Sequence, residues 1–268
     1  MGQNLARVNP EAEDVLSRLV VEARQDLQRR RYLVGSNQFE LAVAAYTPKD
    51  FVSALRTPQL ALIAEMKQRT PSMGVLSEDY RPADIAHAYT EGGAAAISVL
   101  THMAGFGGRP EHISVVRAAT ELPILRKDFV TDPFEVAEAR ARGADAVLLI
   151  VAALEPMHLK DLIAVTKSRG LAALVEVHDE TETAAALEAG AGVVGVNHRD
   201  LRTFKVDLAL TERLRRIVPQ EVVFVAESGI HGPEDARRMR EAGADAILVG
   251  EILMRSADPA AQIKELIQ

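Results

Sequence analysis

Gly143-Ala144-Asp145-Ala146-Val147-Leu148-Leu149-Ile150-Val151 is a glycine, a small residue and then an apolar run. A glycine placed there ends a helix in the left-handed conformation, and the small residue lets the chain turn tightly into a sheet. The run that follows has the length and composition of a buried strand. The same unit recurs. Gly93-Ala94 precedes 96–100, Gly190-Ala191 precedes 193–196, and Gly243-Ala244 precedes 246–249. Between these units lie further apolar runs at 123–126, 172–175 and 222–226, and the first strand is Ala61-Leu62-Ile63-Ala64-Glu65-Met66-Lys67. Helical patterns at 132–142, 155–168, 180–189 and 233–242 fill gaps between strands. Eight alternations of strand and helix predict an α/β chain folded as a (β/α)8 TIM barrel. An open, doubly wound sheet is the alternative.

The residues before the first strand differ. Asn9-Pro10 suits a helix start, and Leu16, Leu19, Val20, Ala23 and Leu27 share one face of the helix that follows. Arg29-Arg30-Arg31 closes it and reads as a solvated helix end. A second short helix is expected from Thr47-Pro48 through Phe51 to Leu55. With no strand between them, residues 1–58 read as a helical extension packed on the barrel, and 1–268 as one domain.

Composition narrows the function. A net charge of −7, 4% aromatic residues and no Trp argue against a nucleic-acid surface. The absence of Cys excludes disulfides, thiolate metal sites and a Cys nucleophile, and fits a reducing cytoplasm. There is no signal-peptide pattern, and no apolar stretch reaches the roughly 18 residues of a membrane span. Neither HxH nor HExxH occurs, so no metal is expected, although His178, His198 and His231 each follow a strand.

In a (β/α)8 barrel, chemistry stands at the C-terminal ends of the strands. Here strand 1 ends in Glu65 and Lys67, strand 3 leads to Lys127, strand 5 to Glu176, strand 6 to Asn197, and strand 7 to Glu227 and Ser228. Residues two apart on a strand face the same way, so Glu65 and Lys67 point together and either pair with each other or stand where a ligand arrives. Alternate strands share layers of the interior, which brings Glu65, Lys67, Lys127 and Glu176 over one mouth. Such a set can act as general acid and base; the competing reading is a salt-bridge ring that closes the barrel. Lys127 is the expected partner of Glu65, which leaves Lys67 for substrate anions. Ser228-Gly229 and Gly250 follow strands 7 and 8, where barrels bind phosphate through backbone N–H groups. With Arg69, Arg199 and the two lysines, the mouth forms a local positive funnel on an acidic chain. The long loop from Gln68 to about Tyr80 can serve as a lid.

Six ordered segments resemble indole-3-glycerol phosphate synthase. Ile63-Ala64-Glu65-Met66-Lys67 with Thr70-Pro71-Ser72 is similar to the family's I-A-E-x-K-x-x-S-P-S, with Thr70 in place of Ser. Leu125-Arg126-Lys127-Asp128-Phe129, Leu174-Val175-Glu176-Val177-His178 and Val196-Asn197-His198-Arg199-Asp200-Leu201 match L-x-K-D-F, L-[IV]-E-[IV]-[HN] and [IV]-N-x-R-D-L. Ala226-Glu227-Ser228-Gly229-Ile230 and Leu248-Val249-Gly250-Glu251 match the ends of strands 7 and 8. His102 departs from the family, which carries an acidic residue after the Thr at 101.

The resemblance implies a carboxy-lyase of the tryptophan pathway. Its substrate is a phosphosugar, 1-(2-carboxyphenylamino)-1-deoxyribulose 5-phosphate, closed to indole-3-glycerol phosphate with loss of CO2 and water and with no cofactor. It implies Lys127 as general acid, Glu65 as its charge partner and an acid in dehydration, and Lys67 on substrate anions and as a second proton donor, with the division between the two lysines left open. Glu176 would stabilise the nitrogen cation and act as base. Asn197, Arg199 and Ser228 would position the substrate, with Thr70, Ser72, Phe129 and Leu201 also binding it, and backbone groups of Gly229, Gly250 and Glu251 would hold phosphate. Other enzymes of the pathway are the expected protein partners, with a monomer or weak homo-oligomer in solution. Two readings compete: another phosphate-binding barrel similar to the phosphoribosyl isomerases, and a non-catalytic phosphosugar-binding barrel. The latter would be expected to have lost Lys127 or Glu176; both are present.

Overall fold

A computed structural model describes residues 15–33, 42–71, 73–200 and 205–268. Eight parallel strands close into a barrel: β1 (Ala61–Met66), β2 (Ala96–Leu100), β3 (Ile124–Lys127), β4 (Ala146–Ile150), β5 (Ala172–Val177), β6 (Val193–Asn197), β7 (Val223–Glu227) and β8 (Ala246–Val249). Each pairs with its neighbours in sequence, and β8 returns to β1 through Ala61↔Ala246 and Ile63↔Leu248. The open sheet is thereby excluded. The helix-ending glycines at 93, 143, 190 and 243 all have positive φ, between 86° and 95°.

Strand alternation separates two cores. Ile63, Leu125, Leu148, Leu174, Val225 and Leu248 pack together within the barrel. Leu62, Ile97, Val147, Val175 and Ile247 form the layer beneath the helices. The strands run on through the polar residues rather than ending before them. Register sets Leu100 beside Lys127, Ile150 beside Glu176, and Asn197 beside Glu227, so these ends share one rim.

The first described helix, α1 (Val15–Leu33), lays Leu16, Leu19, Val20 and Ala23 onto the interior core alongside Phe129. It therefore caps the mouth. Its proposed start at Asn9-Pro10 lies outside the described residues. Arg29 and Arg31 are exposed, as at a solvated end, but Arg30 is mostly covered. Arg30 pairs with Asp26, Glu135 and Glu138, while Arg31 reaches Asp132 at 2.6 Å and lies over the Phe134 ring. Carboxylates on the helix Pro133–Ala141 thus dock α1. The second helix is shorter than expected, Phe51–Leu55, because the Asp50 side chain caps it by accepting from the Ser53 N–H.

A third layer of charge lies outside β3. Arg126 is fully buried and donates to Glu138 at 2.9 Å, to Asp128 at 3.1 Å and to the Glu135 carbonyl at 3.0 Å. Thr101 also donates to Asp128, at 2.5 Å. Burial pushes Glu135 up to about 7 against the pull of Arg126, with Asp128 adding to the rise. None of the described helices is long and apolar enough to cross a membrane.

Candidate active site

The polar strand ends converge on one cavity beneath α1. Glu65, Lys67, Thr70, Lys127, Phe129, Glu176, Asn197, Arg199, Ser228, Gly229, Gly250 and Glu251 all line it, with Leu16 and Leu19 as its roof. Ser72 and Leu201 lie outside the described residues. The loop after β1 folds back as a short antiparallel ribbon, Arg69–Thr70 against Gly74–Val75, at the edge of this cavity.

Pairing within the cluster differs from expectation. Glu65 pairs with Lys67, not with Lys127. The two share a face at the end of one strand, so their side chains meet without crossing the barrel. Lys67 is consequently not a free cation. Lys127 instead sits between two carboxylates, with Nζ 3.0 Å from Glu176 Oε2 and 3.0 Å from Glu227 Oε2. The sequence marks Glu227 as a strand end and nothing more. It belongs to β7, so strands 3, 5 and 7 supply one layer, as alternate strands do.

These contacts divide the protons. Burial opposes the charge on Lys127, but Glu176, Glu227 and Glu65 together outweigh it and raise the ammonium above the ordinary lysine range. Glu176 is fully desolvated, yet Lys127, His178 and Asn197 hold it below the usual carboxylate value. Asn197 contributes by donating to Glu176 Oε1 at 3.1 Å. Burial pushes Glu227 up to about 7, opposed by Lys127 and reinforced by Glu176. Its Oε1 is buried without a hydrogen-bond partner among the described residues, facing Gly195. Two carboxyls whose environments drive their pKa values apart are the arrangement of an acid and a base.

After β7 and β8 the backbone is tightly constrained. Ser228 has φ 67°, a left-handed conformation that a non-glycine residue holds only when its surroundings enforce it. His198 supplies the enforcement: Nδ1 donates to the Ser228 carbonyl at 2.9 Å, and Nε2 accepts from Thr211 Oγ1 at 2.6 Å. Burial lowers its pKa, consistent with a neutral ring. Gly229 follows at φ 74°, where a side chain would also strike Val206. Gly250 leaves no room either, since a Cβ there would lie 2.5 Å from Glu65 Oε1 and 3.1 Å from Lys67 Nζ.

His102 is a structural residue. Its Nδ1 accepts from the Gly105 N–H at 3.2 Å, capping the turn Met103–Phe106, and its ring stands edge-on to Phe129 and Phe106. An acidic side chain could accept the same bond, so the departure leaves the loop capped. Among the described residues no cluster of His, Asp and Glu is arranged to hold a metal.

Comparison with known proteins places this geometry. The family model described as indole-3-glycerol phosphate synthase matches residues 16–266. Indole-3-glycerol phosphate synthase 2 of Streptomyces coelicolor is 58% identical over 254 residues, covering 94% of this chain and 98% of that protein. The synthase of Dehalococcoides mccartyi is 44% identical over 258 residues, covering 94% of this chain and all of that one. Among solved structures, thiamine phosphate pyrophosphorylase from Pyrococcus furiosus superposes with a TM-score of 0.60 at 21% identity, covering 79% of this chain and 95% of that one. That likeness concerns the fold alone.

Proposed function

The chain belongs to the indole-3-glycerol phosphate synthase family, and on that premise we propose which side chains move the protons of the family's reaction. The activity is a lyase step of tryptophan biosynthesis that forms the indole ring and releases CO2. In it, the aromatic carbon bearing the carboxylate attacks the ribulose carbonyl, and the carbonyl oxygen takes a proton. CO2 leaves next, which restores the aromatic ring. The new hydroxyl then departs as water while one proton is lost. Two protons go to oxygen and one comes off, so one is consumed overall.

Lys127 is the donor to the carbonyl oxygen. An ammonium held between two carboxylates yields its proton only to an oxygen that has become anionic, which is what ring closure creates. Glu227 resupplies it. Glu176, kept ionised, faces the positive charge that develops on nitrogen and takes the final proton. The Glu65–Lys67 pair serves the substrate carboxylate and the departing hydroxyl. Asn197, Arg199 and Ser228 orient the sugar and carboxylate, Thr70 and Phe129 border the aromatic end, and the backbone at Gly229, Gly250 and Glu251 receives the phosphate. The observation that carries this reading is the position of Lys127 Nζ, equidistant from Glu176 and Glu227.

Its test is the pH profile. With Glu227 titrating at about 7, kcat is expected to fall as pH rises through that value, because Glu227 then has no proton to pass on. Glu227→Gln keeps the shape and still accepts from Lys127, so this limb disappears and kcat at pH 6 drops. A limb near 7 that survives in the variant would remove Glu227 from the proton path.

Gly250→Ala probes the other half of the site. The added methyl group displaces the Glu65–Lys67 pair, and misplacement on this scale typically costs about 10²-fold in kcat/KM. Steady-state kinetics with an unchanged melting temperature would locate the effect in the site.

A further inference from the structure

His178 lines no part of the cavity, yet it is built against Glu176, which does. It follows β5 and precedes the helix Glu180–Glu188, whose N-cap is Asp179. Asp179 accepts from the Glu182 N–H at 2.8 Å, which fixes the first turn. Glu182 then reaches back, so that Oε2 accepts from the His178 backbone N–H at 2.8 Å and lies 3.0 Å from Nδ1. Both contacts hold one ring orientation. In that orientation Nε2 stands 3.4 Å from Glu176 Oε1, buried and without a hydrogen-bond partner among the described residues.

The geometry constrains the protonation of the ring. A carboxylate at 3.0 Å requires a proton on Nδ1. A neutral ring would then present the lone pair of Nε2 to a second carboxylate, which is repulsive at 3.4 Å. Protonating Nε2 turns that repulsion into attraction. The charged groups around the ring are Glu182 on the following helix, Glu176 on β5 and Glu227 on β7, with Lys127 beyond Glu176. Burial opposes the charged ring, but Glu182, Glu176 and Glu227 outweigh it and raise the imidazole above its ordinary range.

We propose that His178 is a positioning residue whose imidazolium, seated between Glu182 and Glu176, keeps Glu176 ionised and aimed as the base. Glu176 then has Lys127 on one oxygen, with Asn197 and His178 at the other. The proposal rests on Glu176 being the base, so it has one test that uses turnover and one that does not.

The first is NMR of the full chain labelled with 15N-histidine, with His178 assigned by comparison with His178→Asn. Both ring nitrogens are expected to carry protons at pH 6.5, and a neutral ring at that pH overturns the proposal. The second is the dependence of kcat on pH. Removing an opposite charge from beside a carboxylate raises its pKa by about one unit or more. The acidic limb in His178→Asn should therefore move up by about one pH unit, while kcat at high pH suffers least. An unmoved limb, or an equal loss at every pH, means a structural role only and overturns the proposal. Should His178→Asn fail to fold, Glu182→Gln keeps the ring but removes its counter-charge, and the limb must move the same way. Full activity of Glu176→Gln would instead refute the base assignment and leave the NMR result to stand by itself.

Discussion

Lys127→Ala is expected to lower kcat by about 10²–10⁴-fold, the usual consequence of removing one general acid. The loss should exceed any change in KM, because Lys127 acts on charge that appears only as the ring closes. A second effect accompanies it. Without the ammonium, Glu176 and Glu227 face each other across a desolvated gap, and two such carboxyls cannot both ionise. One proton is then shared between them, so Glu176 loses the base form as well. Lys127→Met, which keeps the volume, separates chemistry from packing: it should be equally slow yet better folded. Kinetics and thermal unfolding measured on both variants decide the matter, and full activity in either would dismiss Lys127 from the role.

Arg126→Met carries the largest expected loss of stability. The guanidinium is buried among Asp128, Glu135 and Glu138, and Arg30 of α1 reaches the last two from the far side. Breaking a buried ion network by removing one partner costs about 3–5 kcal/mol, since the remaining charges lie uncompensated. The sign with pH follows. The orphaned carboxylates have raised pKa values in the folded variant, so it binds extra protons at low pH and pays a growing deficit as pH rises. Urea unfolding should show a deficit that is small near pH 5 and largest above pH 7, the value to which Glu135 is already pushed. A loss below about 1 kcal/mol at pH 8 would show that the network does not bear on stability.

The barrel was legible because its signals are local. A glycine at a helix end and an apolar run after it can be read within ten residues, and each of the four Gly-Ala units took the expected backbone. The convergence of Lys127 and Glu176 was legible too, since strand alternation and layer geometry need only the strand order. Pairing was not. Whether Lys127 meets Glu65 or Glu227 depends on side-chain reach across a closed barrel, and no spacing encodes that. Arg126 stands inside the L-x-K-D-F segment, but alternation turns it away from the mouth towards carboxylates that arrive nine and twelve residues later on a helix. The docking of Arg30 is hidden for the same reason: its partners Glu135 and Glu138 are about a hundred residues away. His178 showed only as a histidine after a strand, and its function is set by Glu182 one turn into the next helix.

The central claim is that the cluster around Lys127 carries out ring closure with the chain's own side chains. It is tested by giving the purified protein 1-(2-carboxyphenylamino)-1-deoxyribulose 5-phosphate in chelator-treated buffer and following the absorbance of the indole product. Repeated turnover without any added metal or cofactor, lost in Lys127→Ala, is the predicted result. Binding of the substrate with no indole formed would contradict the account and leave a barrel that holds phosphosugars without transforming them.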